Sequence, residues 1–379
     1  MPQPIQVAVV GAGSFGRNHL RVYREMESLH PELLHLAALV EPDAARRSEL
    51  AAQYNIPAFA SVSDLLSTNL GAPGPSPLGT RVTAASVCVP TLHHAAVAQQ
   101  LLLAGIDVLI EKPFAATLAE ADHILALARQ HKRIVQIGHL ERFNPAVTAL
   151  AARITRPMFF EAHRLSIFTP RSLDIDVVLD LMIHDLDIVL ALTRSAVTEV
   201  RAVGLPVLSP KVDIANVRLE FASGCVANFT ASRVSTELVR KLRLFQPHQY
   251  LSLDFARQDL LSIDVDPALL AAIQSGVLAT KDIPAGLKGT GFSPSVSPTR
   301  YPGASAPEGA TTHPSAGLSL QQVEVPHGEP LRLELENFLN AVRTRTAPRV
   351  TGDDGRAALA LALEINDRIA AHAQRAGLA

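Results

Sequence analysis

The chain has two cysteines in 379 residues, no tryptophan, and an aromatic share of only 4%. Cys88 and Cys225 each sit in an apolar, strand-like run, so both read as buried free thiols rather than as a disulfide framework. No stretch approaches the roughly 18 consecutive apolar residues of a membrane span. The opening apolar run, Ile5–Val10, is too short for a secretory leader and passes directly into glycines. Charge is scarce as well, with 18% charged residues and a formal net charge of -2. That balance gives no long-range pull toward nucleic acid or an anionic bilayer. Lysine is sparse beside arginine, so any lysine inside a motif is informative. The expectation is a cytoplasmic protein whose partners are small molecules, with no nucleic acid and no membrane.

What is present is a rhythm of two kinds. Ile5–Val10, Leu34–Val40, Val82–Val89, Val108–Ile110 and Ile134–Gly138 are near-continuous apolar runs. Between them, Arg17–Leu29, Ala44–Tyr54, His94–Ala104 and Leu118–Gln130 carry helical periodicity. Strands apolar on both faces need a parallel sheet covered on both sides, and right-handed crossovers make it doubly wound. This predicts an α/β domain of Rossmann type over residues 1–140. From Met158 the pattern changes. Met158–Phe168, Val197–Leu205, Val212–Phe221, Val226–Ser232 and Lys241–Phe245 alternate polar and apolar residues, as an antiparallel sheet with one open face does. The helix Val177–Leu192 interrupts them, and Leu331–Arg343 and Gly355–Ala373 close the chain as amphipathic helices. Residues 141–379 are therefore expected to form an α+β domain. Thr68–Thr80 and Ile283–Gly317 read as insertions, the second rich in Pro, Gly, Ser and Thr and expected to be mobile.

Val7–Gly16 is a strand that ends in GxGxxG and enters a helix. Gly11 permits the tight turn, Gly13 lets the backbone approach a pyrophosphate, and Gly16 lets helix and strand pack closely. The helix start, with Ser14 and Phe15, then faces the phosphate charge. The next strand ends in Glu41, where a carboxylate accepts ribose hydroxyls and repels a 2′-phosphate, so NAD is expected ahead of NADP. Arg46 and Arg47 argue the other way, because an arginine near this point can hold a 2′-phosphate. Within a helical pattern they equally suit solvated surface charge.

Two further clusters carry chemistry. Glu111-Lys112-Pro113 stands at the carboxyl end of an apolar strand, where open α/β sheets bind ligands. Pro113 pushes Lys112 out of helical geometry and so fixes the direction of its side chain; an ordinary Lys–Glu surface pair is the alternative. Val177–Asp187 is apolar nearly all round except for Asp180, His184, Asp185 and Asp187. Asp180 and His184, four apart, share a face. An aspartate beside an imidazole orients it and raises its basicity, which suits a general base for an alcohol; a satisfied core histidine is the alternative. With no cysteine cluster and no HExxH spacing, no metal is expected.

Taken in order, these motifs resemble the glucose–fructose oxidoreductase, inositol dehydrogenase and MocA (Gfo/Idh/MocA) family. Gly11, Gly13, Gly16 and Glu41 match its nucleotide site. Pro90 and His94 match its P-N-x-x-H turn, with Thr91 where the family has asparagine. Glu111-Lys112-Pro113 matches its E-K-P motif, and Asp180 with His184 matches its D-x-x-x-H helix. The likeness covers nearly the whole chain apart from the two insertions. It implies an NAD-dependent oxidoreductase acting on CH–OH groups. Ser14, Phe15, Pro90, Thr91, His94, Glu111 and Lys112 would join the glycines and Glu41 at the cofactor. The substrate hydroxyl would lie between His184 as base and Lys112, whose ammonium stabilises the alkoxide, with Asp180 holding the imidazole. The resemblance also implies a homodimer or homotetramer built through the second-domain sheet.

The segment Gly138–Pro145 (GHLERFNP) is similar to one in the UDP-N-acetylglucosamine 3-dehydrogenase branch of that family, which serves lipid A synthesis. This implies a nucleotide-sugar substrate oxidised at its 3-hydroxyl. Glu141, Arg142, Asn144 and Arg164 would bond sugar or phosphate oxygens, with Arg233 a further candidate. Other readings stay open at this point. The segment suits a domain junction in which Arg142 pairs with an acid. A free sugar, an inositol or a UDP-sugar acid suits the same catalytic groups, and a non-catalytic NAD sensor suits the nucleotide site alone.

Overall fold

The computed structural model of the chain describes residues 3–68, 82–168, 175–265 and 318–377, with positions 271 and 275. All of the first expected insertion except Thr68, and the whole of the second, lie outside the described residues. The first unit runs β1 (Ile5–Val10), α1 (Ser14–Leu29), β2 (Leu34–Val40), α2 (Ala44–Tyr54), β3 (Ala58–Phe59) and α3 (Val62–Ser67). It continues through β4 (Ala84–Val87), α4 (His94–Leu103), β5 (Asp107–Glu111), α5 (Leu118–His131) and β6 (Val135–Gly138). Its six-stranded sheet has the order β3-β2-β1-β4-β5-β6, and every pairing is parallel. Strand order reverses between β1 and β4, which opens a crevice at their carboxyl ends. The doubly wound expectation holds, and its buried apolar strands form the first core.

The second unit opens with α6 (Pro145–Ala151) and β7 (Phe159–Ile167). A π-turn over Val178–Met182 then leads into α7 (Ile183–Thr193). Seven strands follow: β8 (Val197–Leu205), β9 (Ile214–Phe221), β10 (Val226–Ser235), β11 (Val239–Gln246), β12 (Gln249–Asp254), β13 (Asp259–Val265) and β14 (Leu318–Val323). They join β7 in an eight-stranded sheet of order β14-β13-β12-β11-β7-β10-β9-β8. All neighbours are antiparallel except β7 and β10. In β9 the alternation is regular, with Ala215, Val217, Leu219 and Phe221 buried and Asn216 and Arg218 exposed. One face carries the second core under α7, and the other is open.

The last two helices, α8 (Pro330–Thr344) and α9 (Gly352–Arg375), belong to both units. Leu331, Leu335, Phe338, Leu339 and Val342 of α8 pack among residues of β1, α1 and β2. Leu359 of α9 joins the first core, while Leu361, Ala362, Ile365 and Ile369 join the second. The boundary expected at residue 140 is therefore crossed twice by the C-terminal helices, which stitch the two sheets together.

Glu334, on the inner face of α8, is fully buried at 0% exposure, and neither carboxyl oxygen has a hydrogen-bond partner. Burial first, then the charges of Glu111 and Asp187, hold its pKa well above the usual carboxylate range. The unfolded chain releases this proton near pH 4.5, and the folded chain keeps it to higher pH. The residue thus costs stability that grows as pH rises above that value. Glu334→Gln should match wild type in urea unfolding at pH near 4 and exceed it near pH 8; an equal gap at both would contradict this. Phe338→Ala should cost about 3–5 kcal/mol and lower the thermal midpoint; a loss under about 1 kcal/mol would mean that α8 is not packed on β1, α1 and β2.

Candidate functional site

The glycine turn builds the first half of the site. Gly11 has φ +90°, and a Cβ there would lie 2.8 Å from the Cys88 carbonyl. At Gly16 a Cβ would stand 1.9 Å from the Gly11 carbonyl oxygen, so α1 starts directly against the turn. A Cβ on Gly13 would meet nothing within 4 Å, because that position opens on the cleft. The first turn of α1 has no side-chain cap and no acid. Its amide groups and the positive end of the helix dipole face outward, with exposed Ser14 and Phe15 beside them. This is the cradle a pyrophosphate requires. The cleft beyond it has a volume of about 700 Å³, and Gly13, Glu41, Arg46, Val89, Pro90 and His93 are among its walls.

Glu41 is fixed at the rim of that cleft. Its Oε2 accepts from the Ala12 amide at 2.8 Å, and its Oε1 from the Asp43 amide at 3.0 Å and from Arg46 Nη1 at 3.4 Å. Arg47 donates to the carbonyls of Glu41 and Pro42 at 2.8 and 2.9 Å, so it is spent on the turn. Thr91 opens a short 3-10 turn, Thr91–His93. His94, expected at the cofactor, is buried, and its ring nitrogens face the carbonyls of Pro113 and Val89 at 3.0 and 2.9 Å. It braces the loops after β4 and β5 from behind. The residues of the cleft suit an NAD pyrophosphate at the glycine turn and a ribose at Glu41.

The second half lies at the end of β5. The Glu111 carboxylate is buried against His19 Nε2 at 3.0 Å, in room left by Gly138, whose Cβ would stand 2.7 Å from Oε1. Among the described residues, His19, Cys88 and Glu111 alone combine donor type and spacing for a metal, all within 4.8 Å; the His19–Glu111 bond already accounts for two of them. The Lys112–Pro113 peptide is cis. Lys112 Nζ donates to the Asp180 carbonyl at 2.6 Å and to its Oδ1 at 3.4 Å.

This differs from the contact expected of Asp180. The four-residue spacing put its carboxylate on His184, but the chain winds as a π-turn over Val178–Met182. That wider turn carries Asp180 off the shared face and onto Lys112. The Nδ1 of His184 is buried without a hydrogen-bond partner. The His139 ring stands edge-on to it, with centroids 6.5 Å apart. Burial first, then the charges of Lys112, Arg164, His139 and Arg240, keep His184 neutral well below the usual histidine range.

The expected substrate ligands are largely engaged with each other. Asn144 caps α6 through Oδ1 to the Ala146 amide at 3.1 Å, and its Nδ2 donates to the Phe255 carbonyl at 3.0 Å and to Glu141 Oε2 at 3.2 Å. Arg142 donates to Asp187 Oδ1 at 3.3 Å and to the Arg349 carbonyl at 3.4 Å, the acid pairing of a domain junction. Arg164, 3% exposed, forks onto Asp185 at 2.9 and 2.8 Å and reaches Glu141 at 3.1 Å. Arg233 lies 3.6 Å from Asp213 and donates to the Ile175 carbonyl at 2.5 Å. These side chains tie α7 to β7 and to the segment after β6 and expose few donors to a ligand. Sequence reasoning passed over His139, which stood inside the GHLERFNP segment, and over Arg240, whose place only strand register reveals.

Known proteins match this chain along most of its length. The description of an oxidoreductase family with an NAD-binding Rossmann fold matches residues 5–139. That of the GFO/IDH/MocA C-terminal domain matches residues 146–245. A UDP-N-acetylglucosamine 3-dehydrogenase of Acidithiobacillus ferrooxidans is 32% identical over 372 residues, 98% of this chain and 99% of that protein. Its solved structure has a TM-score of 0.76 at 31% identity, covering 98% of this chain and 99% of that one. An inositol 2-dehydrogenase of Corynebacterium glutamicum is 27% identical over 211 residues, 53% of this chain and 57% of that protein. An aldose–aldose oxidoreductase structure from Caulobacter crescentus, at 18% identity and a TM-score of 0.72 over 98% of each chain, shares the fold. Among the described residues no helix is long and apolar enough to cross a membrane. The open glycine turn, the lysine that ends β5 and the histidine on α7 stand in one continuous match along the chain, which belongs to the Gfo/Idh/MocA family of NAD-binding oxidoreductases.

Proposed function

We propose that this protein oxidises the 3-hydroxyl of UDP-N-acetylglucosamine to a ketone with NAD as hydride acceptor. The observation that carries the chemistry is geometric: Lys112 Nζ is held on the Asp180 carbonyl at 2.6 Å, four residues before the half-buried His184, whose Nδ1 has no hydrogen-bond partner. The choice of substrate follows the relative of that name, aligned along 98% of this chain. A nicotinamide dinucleotide held at the glycine turn and Glu41 would supply the acceptor for the carbinol hydride. His184 accepts the hydroxyl proton, and a lowered pKa keeps it in the base form at neutral pH. Lys112 stabilises the negative charge that develops on the oxygen. Asp180 acts one step back, because its carbonyl and carboxylate hold the ammonium. Residues 1–140 would carry the cofactor and the later sheet the sugar. The row of tilted rings Phe159, Phe245 and Tyr250 on the open face, with centroids 5.7 and 4.9 Å apart, favours assembly as a homodimer or homotetramer. The expected compartment is the cytoplasm.

With NAD and UDP-N-acetylglucosamine the protein should generate NADH, and faster than with NADP. Activity on a free polyol without activity on the nucleotide sugar would overturn the substrate, and tight NAD binding without turnover across a nucleotide-sugar panel would favour a sensor. Lys112→Ala and His184→Ala should each lower kcat by about 10²–10⁴-fold at near-normal NAD affinity; full turnover in either removes its role. The base works only when neutral, so kcat/KM should fall on acidification with a midpoint below the ordinary histidine value of 6.5. A midpoint at or above that value would separate the acid limb from His184.

A further inference from the structure

The inner face of the second sheet changes character at one end. Along β7, β10 and β11 it is apolar, with Phe160, Ala162, Phe229, Ala231, Leu242 and Leu244 all buried. The next inward position on each strand is an arginine: Arg164 after Ala162, Arg233 after Ala231, and Arg240 before Leu242. Strand register sets Arg164 opposite Arg240 on one side and opposite Ala231 on the other. Residues directly opposite share a face, and like charges so placed repel. Arg164 is neutralised by Asp185 and Glu141, and Arg233 faces Asp213. Arg240 is exposed, and among the described residues no acid pairs with it. Its register partner Arg164 forks onto Asp185 of α7, the residue next to His184, so Arg240 lies at the end of the sheet that is tied to the helix of the base.

We propose that Arg240 is the anion subsite of the substrate cleft, taking the diphosphate of a nucleotide sugar whose ring lies at His184 and Lys112. This rests on the nucleotide-sugar reading above and names the group that recognises that class. A guanidinium fork fits phosphate oxygens bidentately. A neutral polyol would leave the same cation unused, beside a second arginine, so the subsite selects for substrates that bring two negative charges. The two buried arginines cannot serve, because a ligand would have to displace carboxylates that already hold them.

Calorimetric titration of the NAD-loaded protein with UDP and with uridine separates phosphate recognition from base recognition. Arg240→Ala should weaken UDP by roughly tenfold or more while uridine and NAD affinities and the thermal midpoint hold. Arg240→Lys should fall between, since it keeps the charge and loses the fork. With UDP-N-acetylglucosamine as substrate, the loss should fall on KM more than on kcat. Absence of UDP binding by the wild type, or UDP affinity within about twofold of wild type in Arg240→Ala, would overturn the subsite. UDP binding that depends on Arg240 in a protein that never reduces NAD with the sugar nucleotide supports the subsite and sinks the catalytic reading. Turnover with a KM indifferent to Arg240 does the reverse.

Discussion

The site depends on one buried cation, Arg164. Its guanidinium is forked on Asp185 of α7 and bonded to Glu141 in the segment after β6, and it lies over the Phe255 ring at 4.9 Å. Burying such a charge costs several kcal/mol unless its partners are well placed, and here two carboxylates share it. Burial raises the pKa of Asp185, and Arg164 opposes that rise. The pairing holds the three elements in one arrangement. His184 is the neighbour of Asp185 in sequence. Its position relative to β5 and the cofactor cleft follows from a tie made one residue away.

The electrostatics around His184 fit the charge that the reaction generates. Lys112, Arg164 and Arg240 all act on it as cations, and together with burial they make it a weaker base than a free histidine. The same field stabilises an alkoxide, which is where the transition state gains negative charge. A site that favoured imidazolium strongly would hold the proton well but would give less to the oxygen. Asp180 belongs to this balance through Lys112. Its carbonyl and carboxylate fix the ammonium at the end of β5.

What the sequence made legible was chemistry fixed by local residue identity. The GxGxxG turn is largely local: at Gly16 a Cβ would stand 1.9 Å from the carbonyl oxygen of Gly11, five residues back. The E-K-P strand end is local in the same sense. The partner of Asp180 was not legible, because a four-residue spacing assumes α winding and the chain takes a π-turn there. Helix α8 showed an apolar stripe, but periodicity gives a face and not what that face meets. It packs on the first sheet, more than 300 residues from β1 by number, as the contacts Arg21–Glu329 and Arg332–Glu25 also record. Strands β12 to β14 escaped notice because their inward side is partly polar. Ser262 of β13 is buried, and Gln249 of β12 donates to Ser262 and Asp264 across the sheet, so the usual alternation is blurred.

The arginines of GHLERFNP and the second sheet show why donor type alone misplaces a ligand site. Arg142, Arg164 and Arg233 have the right chemistry for a phosphate, yet each is engaged by an acid. A buried guanidinium must have such a partner in the empty protein, since it cannot wait uncompensated for a ligand. A ligand-binding cation must instead be solvated at rest and close to the reacting centre. The proposed subsite, Arg240, is exposed, and the register of β11 on β7 sets it opposite Arg164. On the proposed reading, catalysis falls to Lys112, held by Asp180, and to His184 on α7, while selectivity rests with Arg240 at a strand end. A substitution at the rim can change the substrate without disturbing the buried ion pairs, so one scaffold can serve relatives with different substrates.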